Sequence, residues 1–187
     1  MYDDWFEVDD PDPEVSDKHR EFVDTVREFA RSWPECPPDA TAVLVFPPGE
    51  DEDDDRDDLD GEQPAYDSAM DEEIAEGRAV LMLIADVDDR ERNLRFRTLG
   101  ATVAGDRLFC SERHDTTYRP YPSEDVAPLE ATGSPEELGR IAAAWFGEVL
   151  RRPVIAPRTG PGPTSFVAPG TALPPGHRWV RNGPRPV

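Results

Sequence analysis

Three aspartates, Asp86, Asp88 and Asp89, follow the longest apolar run of the chain, Ala79 to Ala85. Side chains along a strand alternate between its two faces, so Asp86 and Asp88 point to the same face if the strand continues through them. Paired carboxylates at a strand end are typical ligands of Mg²⁺ in phosphoryl chemistry, and we predict Asp86 and Asp88 as candidate metal ligands. The alternative is a solvated strand end, since no second acidic or histidine element of recognisable spacing completes a metal site.

A second group of reactive residue types, Cys110, Ser111, His114 and Asp115, lies in one short segment. Such side chains support nucleophilic catalysis when the nucleophile and its base are within hydrogen-bond reach. An extended chain separates Cys110 from His114 by about 13 Å, however, and no nucleophile elbow surrounds Ser111. The sequence therefore favours a core cysteine on a strand and a surface histidine, and it predicts no catalytic residue.

The third candidate is the acidic loop at residues 49–64, which consists largely of Asp and Glu. Read as an EF-hand calcium loop with Gly61 at its sixth position, it has Arg56 at the first ligand position and Pro64 at the ninth, which argues against a calcium site. Its like charges repel one another and bury no surface, so a solvated loop is expected. The candidate partner-binding residues are Asp53, Asp54, Asp55, Asp57 and Asp58.

The whole chain of 187 residues carries a formal net charge of −21. A surface this negative repels nucleic-acid phosphate and anionic lipid, and it attracts cations and basic proteins. The charge also has a compositional explanation, because one lysine among many Arg, Ala, Pro, Gly and Asp residues is typical of a high-GC or salt-adapted proteome.

The sign of the charge reverses near the C-terminus. No acidic residue follows Glu148, whereas six arginines do. The basic tail either folds back across the acidic body, with Phe166 and Trp179 as anchors, or forms an arm for an acidic partner or a second copy of the chain.

Two helices are indicated by apolar residues at three- and four-residue spacing. The first is capped by Ser16 or Asp17 and ends before Pro34. The second begins with a capping box from Ser134 to Glu137. The predicted core stripes are Phe22, Val23, Val26, Phe29, Ala30 and Trp33 in the first helix, and Leu138, Ile141, Ala142, Trp145, Phe146, Val149 and Leu150 in the second.

Strands are predicted where short apolar or alternating runs are bounded by turn residues. The run Ala79 to Ala85 is typical of a strand covered on both faces, and Leu94 to Thr98 of a strand whose wet face carries Arg95 and Arg97. Gly105-Asp106 is a hairpin turn signal. Weaker segments are a strand at 42–46, a short helix at 66–76, and two places in the tail, 165–167 and 178–180, where the chain pairs or packs.

This order of elements predicts an α+β fold: one domain with an antiparallel or mixed sheet, helices packed mainly on one face, and an extended Pro/Gly-rich C-terminal tail. We assign residues 1–15 to an acidic N-terminal arm, 16–156 to the domain with its acidic loop 49–64, and 157–187 to a basic tail that packs on the body. Within the arm, Trp5, Phe6 and Val8 are the residues able to dock on the body.

The segment Gly133 to Val154 (GSPEELGRIAAAWFGEVLRRPV) resembles one that recurs in small acidic proteins of Streptomyces and related actinobacteria. Those proteins are mostly uncharacterised, so the resemblance implies a source and no activity.

The expected function is that of a non-enzymatic acidic binding protein of immunity or inhibitor type, which engages a basic protein partner and uses no cofactor. Neither a signal peptide nor an apolar membrane segment is recognisable, and Cys36 and Cys110 are isolated thiols, so a cytoplasmic location is expected. Two alternatives stay open: a metal-dependent enzyme using Asp86 and Asp88, and a structural or assembly component. The sequence leaves the oligomeric state undetermined.

Overall fold

The computed structural model of the chain describes residues 4–8, 15–33, 36–46, 76, 78–89, 94–114, 116–121, 123–159 and 164–183. Within them lie two helices, α1 (Asp17–Ala30) and α2 (Pro135–Arg151), and a 3₁₀ turn (Pro38–Ala40). The strands are β1 (Thr41–Phe46), β2 (Val80–Asp89), β3 (Leu94–Ala104), β4 (Arg107–Arg113), β5 (Leu129–Thr132), β6 (Val154–Pro157), β7 (Ser165–Phe166) and β8 (His177–Arg181).

Both helices begin with the caps that the sequence predicts. The Ser16 hydroxyl accepts a hydrogen bond from the backbone N–H of His19 at the start of α1. At the start of α2, the Ser134 side chain accepts from the Glu137 backbone while the Glu137 carboxylate accepts from the Ser134 backbone, which completes the capping box. These bonds satisfy backbone donors that have no partner inside a helix.

Strands β1 to β5 form one antiparallel sheet in chain order, and β7, β6 and β8 form a second antiparallel sheet in that spatial order. The predicted hairpin at Gly105-Asp106 joins β3 to β4, with Gly105 at a φ of +63°. The strand predicted at Leu94 to Thr98 continues without a break to Ala104 as the single strand β3. The α+β prediction, with antiparallel sheets in a single domain, is confirmed.

The main core lies between the helices and one face of the five-stranded sheet, which we call the helix face. Alternate residues of β2, Leu81, Leu83, Ala85 and Val87, point into it. The opposite face, called here the second face, buries Met82, Ile84 and Phe109, with Leu44, Phe46 and Tyr118 packed against them. Val80 to Val87 are therefore buried on both faces, as the uninterrupted apolar run predicts.

The partly buried guanidinium of Arg97 connects the C-terminal segment to the larger sheet. Arg97 on β3 forms an ion pair with Glu112 on β4, a weaker pair with Asp125 at 3.4 Å, and donates to the backbone carbonyl of Thr164 at 2.6 Å. Phe166, two residues further, is only 4% exposed and joins the main core. The segment before β7 is thus held by both charge and packing.

The prediction that Arg95 and Arg97 share one wet face is wrong. The pairing of β2 with β3 shifts by one residue between Val87 and Asp88, so that Arg97 lies opposite Val87 and Arg95 opposite Asp88. A β-bulge of this kind turns the following side chains to the other face of the strand. Both arginines pair with the protein's own carboxylates, Arg97 as described and Arg95 with Asp86.

Candidate functional site

The five predicted partner-binding residues, Asp53, Asp54, Asp55, Asp57 and Asp58, lie outside the described residues, as does the acidic loop that contains them. The short helix predicted at 66–76 falls there too, apart from Glu76.

Asp86 and Asp88 occupy the end of β2, and strand alternation places both on the second face. The carboxylate of Asp86 is nearly buried and already engaged: Oδ1 accepts a hydrogen bond from the Thr98 hydroxyl at 2.9 Å, and Oδ2 lies 2.8 Å from a guanidinium nitrogen of Arg95. A metal ion at Asp86 has to displace these donors. Among the described residues, no three His, Cys, Asp or Glu side chains are grouped so that they could hold a metal ion. Metal binding by Asp86 and Asp88 stays a prediction, which magnesium titration by calorimetry tests.

The segment from Cys110 to His114 separates its reactive groups. Cys110 is 1% exposed on the helix face, and burial raises the pKa of its thiol to about 12 although the nearby Arg113 acts to lower it. Because the thiolate is the nucleophilic form, this cysteine is unreactive near neutral pH. His114 lies just beyond β4 and is exposed. A buried cysteine and a surface histidine are what the sequence favours here.

On the described surface a groove lies between α1 and α2, and we call it the acidic groove. It is open to solvent and has a volume of about 520 Å³. Its lining residues are Glu21, Asp24, Thr25, Glu28 and Phe29 from α1, and Glu136 and Arg140 from α2.

The close contact of the two helices sets the floor of the acidic groove. Gly139 of α2 lies against Thr25 of α1, and a Cβ atom at this glycine would come within 2.7 Å of the Thr25 Cβ and 3.0 Å of the Phe22 carbonyl oxygen. Only a glycine permits this approach, because any side chain at that position overlaps the facing helix. Thr25 in turn donates its hydroxyl hydrogen to the Glu21 carbonyl at 2.8 Å and leaves its methyl group toward α2.

The groove combines negative charge with an exposed ring. Four of its lining side chains are carboxylates, of which Glu136 pairs with Arg140 along α2 and Asp24 pairs with Arg27 along α1. Phe29 lines the same groove and is 46% exposed. A cationic side chain over the ring gains both cation–π attraction and charge pairing. The groove therefore combines the two features, negative charge and an exposed aromatic ring, that favour a cationic side chain.

The sequence prediction that Phe29 belongs to the core stripe of α1 is wrong, because its side chain is exposed. On the helix it lies at the edge of the stripe formed by Phe22, Val23, Val26 and Ala30, so it faces the groove and not the core. The acids Glu21, Asp24 and Glu28 recur at the three- and four-residue spacing that places them on one side of a helix. That spacing was the available signal, but only the position of α2 turns this side of α1 into a groove wall.

No protein-family model, curated protein or solved structure matches this chain. In the part of the chain that the structure describes, no helix combines the length and the apolar character needed to cross a membrane.

Proposed function

We propose that this protein is a non-enzymatic binding protein that engages a basic segment of a partner protein, in the manner of an immunity or inhibitor protein. The observation that carries the proposal is the acidic groove, whose lining combines the exposed Phe29 with Glu21, Asp24, Glu28 and Glu136. The net charge of −21 also supports a positively charged partner, since it attracts basic surfaces over long distances.

The groove and the acidic loop make separable contributions in this proposal. The loop aspartates Asp53 to Asp55, Asp57 and Asp58 add diffuse attraction that speeds encounter, whereas the groove has a defined shape and an exposed aromatic ring in its lining. Charges at the rim of an interface mainly change the association rate and its salt dependence, and anchored side chains change the dissociation rate. Loop and groove variants therefore affect different rate constants.

The test uses a fluorescent arginine-rich peptide as a probe, titrated with the full chain at low and at physiological salt. Removal of three groove charges in Glu21→Gln/Asp24→Asn/Glu28→Gln weakens binding by about tenfold, because three exposed pairs contribute roughly 0.5 kcal/mol each. Arginine peptides should bind better than lysine peptides, because a guanidinium stacks on the Phe29 ring; Phe29→Ala should weaken binding further and remove this difference.

The matched control removes the same number of charges elsewhere. Asp106→Asn/Glu130→Gln/Glu148→Gln changes three exposed carboxylates that do not line the groove. If this control weakens the probe as much as the groove variant does, the attraction is non-specific and the groove is not the site. If neither variant changes binding while neutralisation of the five loop aspartates abolishes it, the loop and not the groove is the contact surface.

A further inference from the structure

Residues 4–8 belong to no helix or strand, yet they are held in a cleft formed by α1, by Cys36 and Thr41 on either side of the 3₁₀ turn, and by α2. The side chain of Phe6 is 0% exposed. Its ring lies 6.3 Å from that of Trp33 in an edge-to-face arrangement and 5.9 Å from that of Phe146 on α2. Beside it, the Trp5 indole N–H donates to the Cys36 carbonyl at 2.7 Å. Two adjacent aromatic residues thus anchor the segment.

The backbone of the segment is recognised by side chains of the body. Arg27 on α1 donates to the carbonyl of Trp5 at 2.9 Å and to that of Phe6 at 2.8 Å. The Phe6 N–H in turn donates to the Thr41 hydroxyl oxygen at 2.9 Å. Capture of main-chain groups together with pockets for particular side chains is how proteins bind short extended peptides.

A charge contact fixes the first residue of the segment. The Asp4 carboxylate lies 3.0 Å from Arg31 and 3.7 Å from Arg27. Partial burial acts to raise the pKa of Asp4, but hydrogen bonds from Arg31 and from the Trp5 backbone, with the charges of Arg31 and Arg27, lower it overall. The cleft thus presents two arginines to an acidic residue followed by two aromatic ones.

The backbone conformation of Phe6 shows that these contacts impose the bound shape. Its φ is +50°, in the left-handed region that is unfavourable for a residue with a side chain. Such a conformation persists only where the surroundings over-determine it. Here the Arg27, Thr41 and aromatic contacts do so, which is the behaviour of a ligand moulded by its site.

We infer that this cleft is a peptide-recognition site for an acidic residue followed by two aromatic residues. Its resident ligand is the chain's own Asp4-Trp5-Phe6, and the same segment of a second copy of the chain occupies it by exchange. An exchanged segment makes the same contacts as a resident one, so exchange sacrifices no interaction within the cleft. The cleft and the acidic groove use different binding residues but meet at Arg27, which holds the segment and also pairs with the groove residue Asp24 at 2.8 Å.

The test uses the full chain with a specific protease site introduced between residues 9 and 14, cut after folding. A labelled peptide of residues 1–8 is then added, and its anisotropy reports exchange while circular dichroism reports the fold. We expect the cut protein to stay folded and to take up the labelled peptide. As a competitor, the Phe6→Ala peptide should be at least about 100-fold weaker than the native one, because a buried phenylalanine is lost. The Glu7→Ala peptide, altered at an exposed residue, should compete as well as the native peptide.

Three results would overturn the inference: unfolding of the cut chain, a folded cut chain that does not exchange its segment, or a Phe6→Ala peptide that competes equally. Exchange of the segment between two copies of the chain is tested by energy transfer between intact chains that carry donor and acceptor dyes. The two labelled chains are refolded together at rising concentration. We expect a dimer whose fraction grows with concentration and which excess peptide 1–8 disperses. A monomer at every concentration would exclude the second copy.

Discussion

His19 is a buried titratable group near the start of α1. Its side chain is 7% exposed, and Nδ1 is buried without a hydrogen-bond partner. Burial lowers the pKa of His19 below its ordinary value of 6.5, so the native state favours the neutral ring. The unfolded chain takes up its proton near pH 6.5 and the native chain only at lower pH. The contribution of the neutral His19 to the free energy of unfolding is therefore complete above about pH 6.5, and it declines as the pH falls below that value.

We expect the urea midpoint of the protein to fall between about pH 7.5 and 5.5, a range above most carboxylate titrations. In His19→Gln this fall should be much smaller, because the variant has no group that protonates only on unfolding. His114→Gln, which changes an exposed histidine, serves as the control and should keep the dependence of the parent. If the urea midpoint of His19→Gln still falls as strongly with pH, a group other than His19 is responsible for the pH dependence.

The ion pair of Arg97 and Glu112 provides a second test at the level of single residues. The two side chains are 15% and 4% exposed, and Oε2 of Glu112 has no hydrogen-bond partner. Arg97→Met leaves the Glu112 carboxylate buried without its cation, which costs about 3–5 kcal/mol of unfolding free energy. Arg97→Met/Glu112→Leu removes the stranded charge as well and should recover at least half of that loss. A double variant as unstable as the single one would show that the pair matters through the Asp125 and Thr164 contacts instead.

At the scale of elements, the segments with strong local signals were predictable. The capping box, the Gly105-Asp106 turn and the apolar run of β2 each depend on neighbouring residues, and each appears where expected. The sequence did not predict β5 or β6, four-residue strands that exist because β4 and β8 lie beside them. Local pattern does not contain that information, since short strands are stabilised by their cross-strand partners.

The acidic groove was missed for a related reason. Its acidic wall is visible in the spacing of Glu21, Asp24 and Glu28, but its second wall comes from α2, more than a hundred residues further along the chain. The exposure of Phe29 follows from how α1 is rotated against α2. Apolar periodicity predicts that a helix has a buried stripe, but it does not predict which residues at the edges of that stripe are exposed.

The crossing of α1 and α2 yields the prediction for this scale. Alanine is about 1 kcal/mol better than glycine inside a helix, so propensity alone favours Gly139→Ala. The new Cβ, however, would lie 2.7 Å from the Thr25 Cβ and 3.0 Å from a backbone oxygen, neither of which yields easily. We expect a net loss of about 1–3 kcal/mol by chemical denaturation, because overpacking forces the helices apart.

Gly147→Ala, in the same helix, is the matched comparison for Gly139→Ala. Its nearest neighbours would be the side-chain nitrogens of Trp33 at 3.2 Å and Arg151 at 3.3 Å, and the arginine end is free to move. This substitution should cost clearly less. Equal effects of the two changes would mean that the Thr25 contact does not limit the separation of the helices.

At the scale of the whole molecule, the net charge of −21 acts on stability as well as on binding. Like charges confined to a compact fold repel one another, and unfolding relieves that repulsion. Two effects oppose each other when salt is added. The repulsion weakens as the Debye length falls from about 30 Å at 0.01 M to about 10 Å at 0.1 M, and exposed ion pairs weaken too.

The weakening of exposed ion pairs by salt is the smaller of these two effects on stability. Pairs such as Glu136–Arg140, with both side chains more than half exposed, contribute little even at low salt, and the buried Arg97–Glu112 pair is poorly screened. We therefore expect the urea midpoint to rise as NaCl increases from about 0.01 to 0.1 M, and to level off above that because most of the screening is then complete. Asp106→Asn/Glu130→Gln/Glu148→Gln, which lowers the net negative charge at exposed positions, should be more stable than the parent at low salt and show a smaller rise. A midpoint that falls with NaCl would mean instead that attraction between opposite charges, such as those of the acidic body and the arginines after Glu148, outweighs the repulsion.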